Sequence, residues 1–268
     1  MKKKTRRNRK KRKKDRRIRI NIWWIAGILL ILIGLIGYPH IADRYANEKG
    51  ARIPVGIFAY GIDISHYQTD IQWDSLMVLT DRTGRTTRSK TAALEIKPVS
   101  FVFIKASEGA SMKDRHFDEN WKCARISGIK RGAYHFFRSS KDPVLQAENF
   151  IKTTGTLYHD DLPPVLDIET VHRGCSKEDL NRKALTWLRT VEKHYGRKPI
   201  VYSSAHFIRD NLNKEITENY HIWVAHYGKS DPDYRDWDIW QCTDRGVIYG
   251  ISGHADISIC RHSTLDSL

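Results

Sequence analysis

Cysteine is scarce in this sequence, and its spacing offers nothing to a metal. Cys123, Cys175, Cys242 and Cys260 form no C-x-x-C pair, which excludes zinc-finger-type ligand sets. Histidine shows no H-x-x-x-H or comparably compact pattern. Acidic residues are short, 31 Asp and Glu against 46 Lys and Arg, for a formal net charge of +15. Apolar residues are not short. At 40% of 268 positions they exclude a wholly disordered chain and suit one sizeable domain plus extras.

A charge of +15 taken whole suggests nucleic acid. Its distribution says otherwise. Residues 2–19 carry 14 Lys or Arg against Asp15 alone, a net +13, which leaves +2 for the rest of the chain. The basicity is a tail, 1–19, and no nucleic acid is expected as a partner.

After the tail comes INIWWIAGILLILIGLIGY, residues 20–38, without one charged side chain. Nineteen residues of helix span roughly 28 Å, close to a bilayer core. Trp23 and Trp24 near one end and Tyr38 at the other suit the two interfaces, and the basic run before them keeps the N-terminus cytoplasmic. A cleaved signal peptide is the competing reading, but His40-Ile41-Ala42 and Arg44-Tyr45-Ala46 are poor small-x-small sites. The expectation is an uncleaved signal anchor in a single-pass membrane protein. The catalytic or binding domain then lies in the periplasm or extracellular space. That compartment suits disulfides. Cys242 and Cys260 flank a hairpin and are expected to pair, with Cys123–Cys175 a second pairing and four free thiols the alternative.

Residues 39–57 read as a linker and 58–268 as the domain. Strand patterns rich in Val, Ile, Phe and Tyr occur at 61–65, 99–106, 131–137, 164–169, 199–203, 221–226, 238–243 and 255–259. Helical patterns occur at 117–127, 143–153 and 177–195, the last capped by Ser176 and stopped by Gly196. Alternation of this kind predicts a mostly parallel α/β sheet, and eight strands favour a (β/α) barrel. The final two strands, joined by a glycine-rich stretch, make the barrel irregular. Residues 80–97 read as a polar insertion with a small hairpin at Thr83–Gly84.

Acidic residues recur at strand ends: Asp63 in GIDIS, Asp167 and Glu169 in PPVLDIE, Asp256 in ADIS. In barrels, functional groups sit at the C-terminal ends of strands. Asp167 and Glu169 are two apart on one strand, so they face the same side, about 6.5–7 Å apart at Cα. Two close carboxylates cannot both ionise cheaply, and one is driven to keep its proton. A D-x-E taken alone is also an ordinary helix cap or a solvated loop pair. Tyr67, Tyr134, Phe136, Tyr202, Trp223, Tyr227 and Trp240 fall near the same ends, and flat aromatic faces around an acidic centre suit a sugar chain. Phe136 and Trp223 are read as core. His66, His135 and His226 could join Asp63 and Asp167 as metal ligands, but without a compact pattern no metal is expected.

The segments GIDISHYQ (61–68), IQW (71–73), FVFIKASEG (101–109), GAYHFF (132–137), PPVLDIE (163–169), PIVYSS (199–204), IWVAHY (222–227), DIWQCT (238–243) and GISGHADIS (250–258) together resemble glycoside hydrolase family 25, the lysozyme-type N-acetylmuramidases. The order holds over nearly the whole of 61–260. The resemblance implies an irregular TIM-like barrel. It also implies hydrolysis of the β-1,4 bond between N-acetylmuramic acid and N-acetylglucosamine in peptidoglycan, without a cofactor. Glu169 would be the general acid and Asp167 would assist the substrate's own 2-acetamido group. Asp63 and Asp256 match acidic positions on the groove floor, and Tyr134, Tyr202 and Gln241 match positions near the sugar. Tyr67 stands where the family often has tryptophan. Tyr227, closing IWVAHY, is the remaining substrate-binding candidate. The expected partners are peptidoglycan strands and the membrane, with the chain a monomer. A non-catalytic peptidoglycan-binding module and a metal-dependent glycan deacetylase are the competing readings.

Overall fold

The computed structural model describes residues 49–268. The tail and the span read at 20–38 lie outside the described residues. Among those described, no helix is long and apolar enough to cross a membrane.

In chain order the strands are β1 (Lys49–Arg52), β2 (Ala59–Ile64), β3 (Met77–Thr80), β4 (Arg85–Thr87), β5 (Glu95–Glu108), β6 (Met112–Lys113), β7 (Lys130–Phe136), β8 (Val165–Asp167), β9 (Ile200–Ser204), β10 (His221–Ala225), β11 (Ile239–Gly246) and β12 (Ala255–Cys260). The helices described are α1 (Phe117–Ile126), α2 (Pro143–Thr154), α3 (Lys177–Tyr195) and the short α4 (Ala205–Asn211), α5 (Lys214–Thr217) and α6 (His262–Ser267).

Eight strands close on themselves. β2, β5, β7, β8, β9, β10 and β11 pair in parallel in that order. β12 then shuts the ring, antiparallel to both β11 and β2. The eight expected strands are these eight, and the irregularity is that one antiparallel stave.

Period-two alternation sorts the side chains. Phe101, Phe103, Val165, Ile200, Trp223, Ile239 and Cys260 fill the barrel. Val102, Ile104, Leu166, Val201, Val224, Cys242 and Ile257 face the helices. Phe101 and Phe103 fit because glycines lie opposite them. A Cβ on Gly61 would sit 2.2 Å from Phe101, and one on Gly132 would sit 2.4 Å from Phe103. The same alternation corrects the disulfide expectation. Cys242 points out of the barrel and Cys260 into it, so they lie on opposite faces of the sheet, and all four cysteines are free thiols.

The helices form for local reasons. Asp142 caps α2 by accepting from the amides of Val144 and Leu145, and Pro143 opens it. Ser176 caps α3 through the Asp179 amide, and Gly196 ends it in the left-handed region at φ 67°. Leu180, Ala184, Leu185, Leu188 and Val191 are its buried stripe.

Two expectations need adjustment. Part of the stretch read as linker is ordered structure: β1 pairs with β4, and Ile53 is buried. The hairpin read at Thr83–Gly84 is present as β3–β4, its turn tied by the Asp81 carboxylate accepting from the amides of Thr83 and Arg85. β5 begins at Glu95 rather than Val99, because its first residues pair with β3 outside the barrel.

Candidate active site

The last inward-facing position of several barrel strands is polar. Asp63 is the last inward position of β2, Tyr134 lies late in β7, Asp167 ends β8, Tyr202 lies late in β9, and Gln241 faces in from β11. β12 runs the other way, so Asp256 joins the group from near its start. The register sets Asp256 directly opposite Asp63.

Gln241, fully buried, organises this group. Its Nε2 donates to Asp63 Oδ2 at 2.8 Å and to Asp256 Oδ2 at 3.2 Å. Its Oε1 accepts from the hydroxyls of Tyr202 at 2.8 Å and Tyr227 at 2.6 Å. All four hydrogen-bonding positions of the amide are used, which fixes its orientation. Burial, then the facing Asp256, push the Asp63 carboxyl well above its ordinary range. Asp256 is raised to about 6, chiefly by burial. Burial thus favours the protonated form of both carboxyls.

Asp167 sits across the cleft. Phe137 N donates to its carbonyl at 2.8 Å, and Ile168 N donates to Tyr202 O at 3.0 Å. Ser203 Oγ donates to the Ile168 carbonyl. The backbone between the two carboxylates is thus tied to β7 and β9. The Asp167 side chain is buried, and its Oδ1 accepts no hydrogen bond. Burial, then the negative charge of Glu169 and a hydrogen bond with it, raise the Asp167 carboxyl well above normal. Glu169 itself is exposed at the mouth.

These groups line a cleft of about 290 Å³. Trp223 forms its floor, 4.6 Å from both Phe103 and Tyr202 between ring centroids. Tyr67 stands 80% exposed at the rim against His66, and Tyr227 is partly exposed. Lys105, near the end of β5, also enters the cleft and donates to Glu108 Oε2 at 2.7 Å. A buried carboxyl beside an exposed one, over aromatic faces, can protonate a leaving oxygen and hold an amide.

Residues 62–251 match the profile of glycosyl hydrolases family 25. The chain belongs to that family. It is 38% identical over 219 residues to the uncharacterized protein YegX of Escherichia coli, covering 81% of this chain and 74% of that one. It is 32% identical over 210 residues to lysozyme M1 of Streptomyces globisporus, covering 73% of this chain and 65% of that one. Among solved structures, the bacterial lysozyme of Streptomyces coelicolor superposes with a TM-score of 0.64 at 29% identity, over 77% of this chain and 92% of that one.

In this family 25 glycoside hydrolase the expected residues do come together. Asp63, Asp167, Glu169, Asp256, Tyr134, Tyr202 and Tyr67 line the cleft. Gln241 and Tyr227 bear on it through hydrogen bonds. Trp240 instead packs outside the barrel with its Nε1 on the His226 carbonyl. Trp223 is core, as read, and also the cleft floor, while Phe136, read as core, lines the cleft wall. The three histidines are kept apart. His66 Nδ1 lies 2.7 Å from Asp114, His226 pairs with Asp233, and His135 is sealed outside the barrel between Ser107 and Gln146. Burial lowers His135 to about 4, so its ring is neutral. Sequence reasoning missed Lys105. Its signal was a single cation inside the apolar run FVFIKA.

Proposed function

We propose that the enzyme cleaves the β-1,4 bond between N-acetylmuramic acid and N-acetylglucosamine of peptidoglycan, with Glu169 as general acid and Asp167 as partner of the substrate's 2-acetamido group. The observation that carries this is Asp167 Oδ1, buried and accepting nothing, beside an exposed Glu169. An acetamido N–H supplies the missing hydrogen bond. That bond favours the Asp167 carboxylate, which orients the acetamido group for attack. Glu169 then protonates the glycosidic oxygen as the acetamido carbonyl attacks the anomeric carbon, and the C–O bond to the leaving sugar breaks. Water opens the resulting ring and returns a proton to Glu169. This is the substrate-assisted exception to the two-carboxylate scheme, and it needs one acid rather than two. Asp63, Asp256 and Gln241 shape the floor, and Tyr67 and Tyr227 offer faces to flanking sugars.

The uncharged run at 20–38 behind a +13 tail supports an anchored enzyme with its catalytic domain on the far side of the membrane. Protease added outside intact spheroplasts should digest the domain and spare the tail.

To test the chemistry, full-length wild type and Glu169→Gln are incubated with peptidoglycan, and the ends are identified by mass spectrometry after borohydride reduction. Wild type should release new reducing muramic acid ends. Glu169→Gln should lose at least about 10²-fold in turnover while still binding glycan. Substantial turnover by the variant would remove Glu169 from the acid role. New free amines instead of reducing ends would mark a deacetylase.

A further inference from the structure

We propose that a second pocket, bounded by Arg52, Arg85 and Arg245 beside the catalytic cleft, binds an oxyanion carried by the wall polymer and so holds the strand that the cleft cuts. This rests on the peptidoglycan reading and extends it to the strand's charged substituents. The pocket measures about 520 Å³, against about 290 Å³ for the cleft. Its three arginines come from three strands, β1, β4 and β11, and all are exposed. His254 closes another side, and no Asp or Glu lines it among the described residues. The nearest acid along β11, Asp244, does not line the pocket. Outside the tail the chain is close to neutral. Three guanidinium groups around one cavity repel one another there, and an anion relieves that cost. Guanidinium forks suit carboxylate and phosphate oxygens, two donors at a time.

The pocket is held in shape. Val247 N donates to Thr86 Oγ1 at 2.9 Å, docking the outer hairpin on β11. Buried Arg88 donates to the carbonyls of Ile251 and Gly253, fixing the loop that leads to His254. Gly50 permits the close approach of β1, because a Cβ there would sit 2.0 Å from Thr86 Oγ1. The pocket also adjoins the chemistry. Gly228 on its wall follows Tyr227, Thr243 lies two residues beyond Gln241, and the His254 carbonyl accepts from Gln68 Nε2 of the cleft at 3.3 Å. Arg52 lies before the 62–251 stretch that matches the family profile.

The ligand is an oxyanion from one of two sources, the carboxylates of peptide stems or the phosphates of an attached polymer. The test uses the full chain and its Arg52→Gln/Arg245→Gln variant on three substrates: strands with peptide stems, strands stripped of stems with the exposed lactyl carboxylates capped as amides, and such stripped strands bearing a phosphodiester polymer. The variant should show KM raised about tenfold with kcat unchanged on anion-bearing strands, and no change on stripped strands. A KM effect confined to stem-bearing strands assigns the carboxylates; one confined to polymer-bearing strands assigns the phosphates. Equal KM on all three, or an equal rise on stripped strands, overturns the proposal. Co-sedimentation with each polymer gives the same comparison without turnover. If wild type cuts nothing yet loses anion-dependent retention on substitution, the pocket stands and the hydrolytic reading falls. The Arg52→Lys/Arg245→Lys variant keeps the charge and should recover most of the retention. A variant that folds, by its melting curve, and recovers none would overturn the electrostatic basis.

Discussion

A buried amide that serves two acids and two phenols has no harmless replacement. Gln241→Leu keeps much of the volume but leaves two tyrosine hydroxyls and the Asp63–Asp256 pair without their shared partner. Leaving buried polar groups unpaired costs about 1–3 kcal/mol each, so the variant should melt several degrees lower and lose most activity. Asp167 predicts the opposite sign for stability. Its carboxyl is raised in the folded protein, so between the ordinary value of 3.8 and the folded one the native state binds more protons than the unfolded. Stability from this group therefore falls as pH rises through that window. Asp167→Asn, which cannot ionise, should melt higher than wild type at pH 7.5, by a few degrees for about 1 kcal/mol, and turn over far more slowly. Melting curves from pH 7.5 down to 4 should show that gap closing; a gap constant with pH would assign it to something other than titration.

At the scale of the element, period-two alternation explains both the core and the site. Inward positions of the barrel strands carry Phe, Val, Ile and Trp deep in the ring and acids, tyrosines or glutamine at one end. Gly132 shows how tight the deep layer is. Gly132→Val would drive a side chain into the Phe103 ring and the Leu162 Cβ, at 2.4 and 3.1 Å from the first added atom. Thermal denaturation should register a loss of about 1–3 kcal/mol. The eight barrel strands were legible because each is a short Val-, Ile- or Phe-rich run between turn signals. The first residues of β5 were not, since Glu95 and Lys97 alternate on a strand whose partner, β3, lies outside the ring. β1, reading KGAR, has no apolar pattern at all, and α4, α5 and α6 are too short to show a helical one. The D-x-E pair was legible as a pair of acids, but its geometry was not: β8 ends at Asp167, and Glu169 lies beyond the strand, exposed where Asp167 is buried. The work of Gln241 was not legible either, because its four partners come from four different segments.

Closure belongs to the molecule as a whole. β12 is the partner of both β2 and β11, so removing it opens the ring between its first and last parallel strands. A chain ending before Ala255 should show no cooperative melting transition in calorimetry and no glycan cleavage, even though Asp167 and Glu169 remain. A sharp transition in that truncation would mean that seven strands suffice.

The antiparallel stave also sets a clock. Asp63 lies on the first strand of the ring and Asp256 on the last, and Gln241 bonds both. Until the ribosome has passed the codons of β12, the growing chain holds the acid and its helper but not the strand that closes the ring or the acid that faces Asp63. The hydrolase becomes competent only after its closing strand has followed every other stave into the ring.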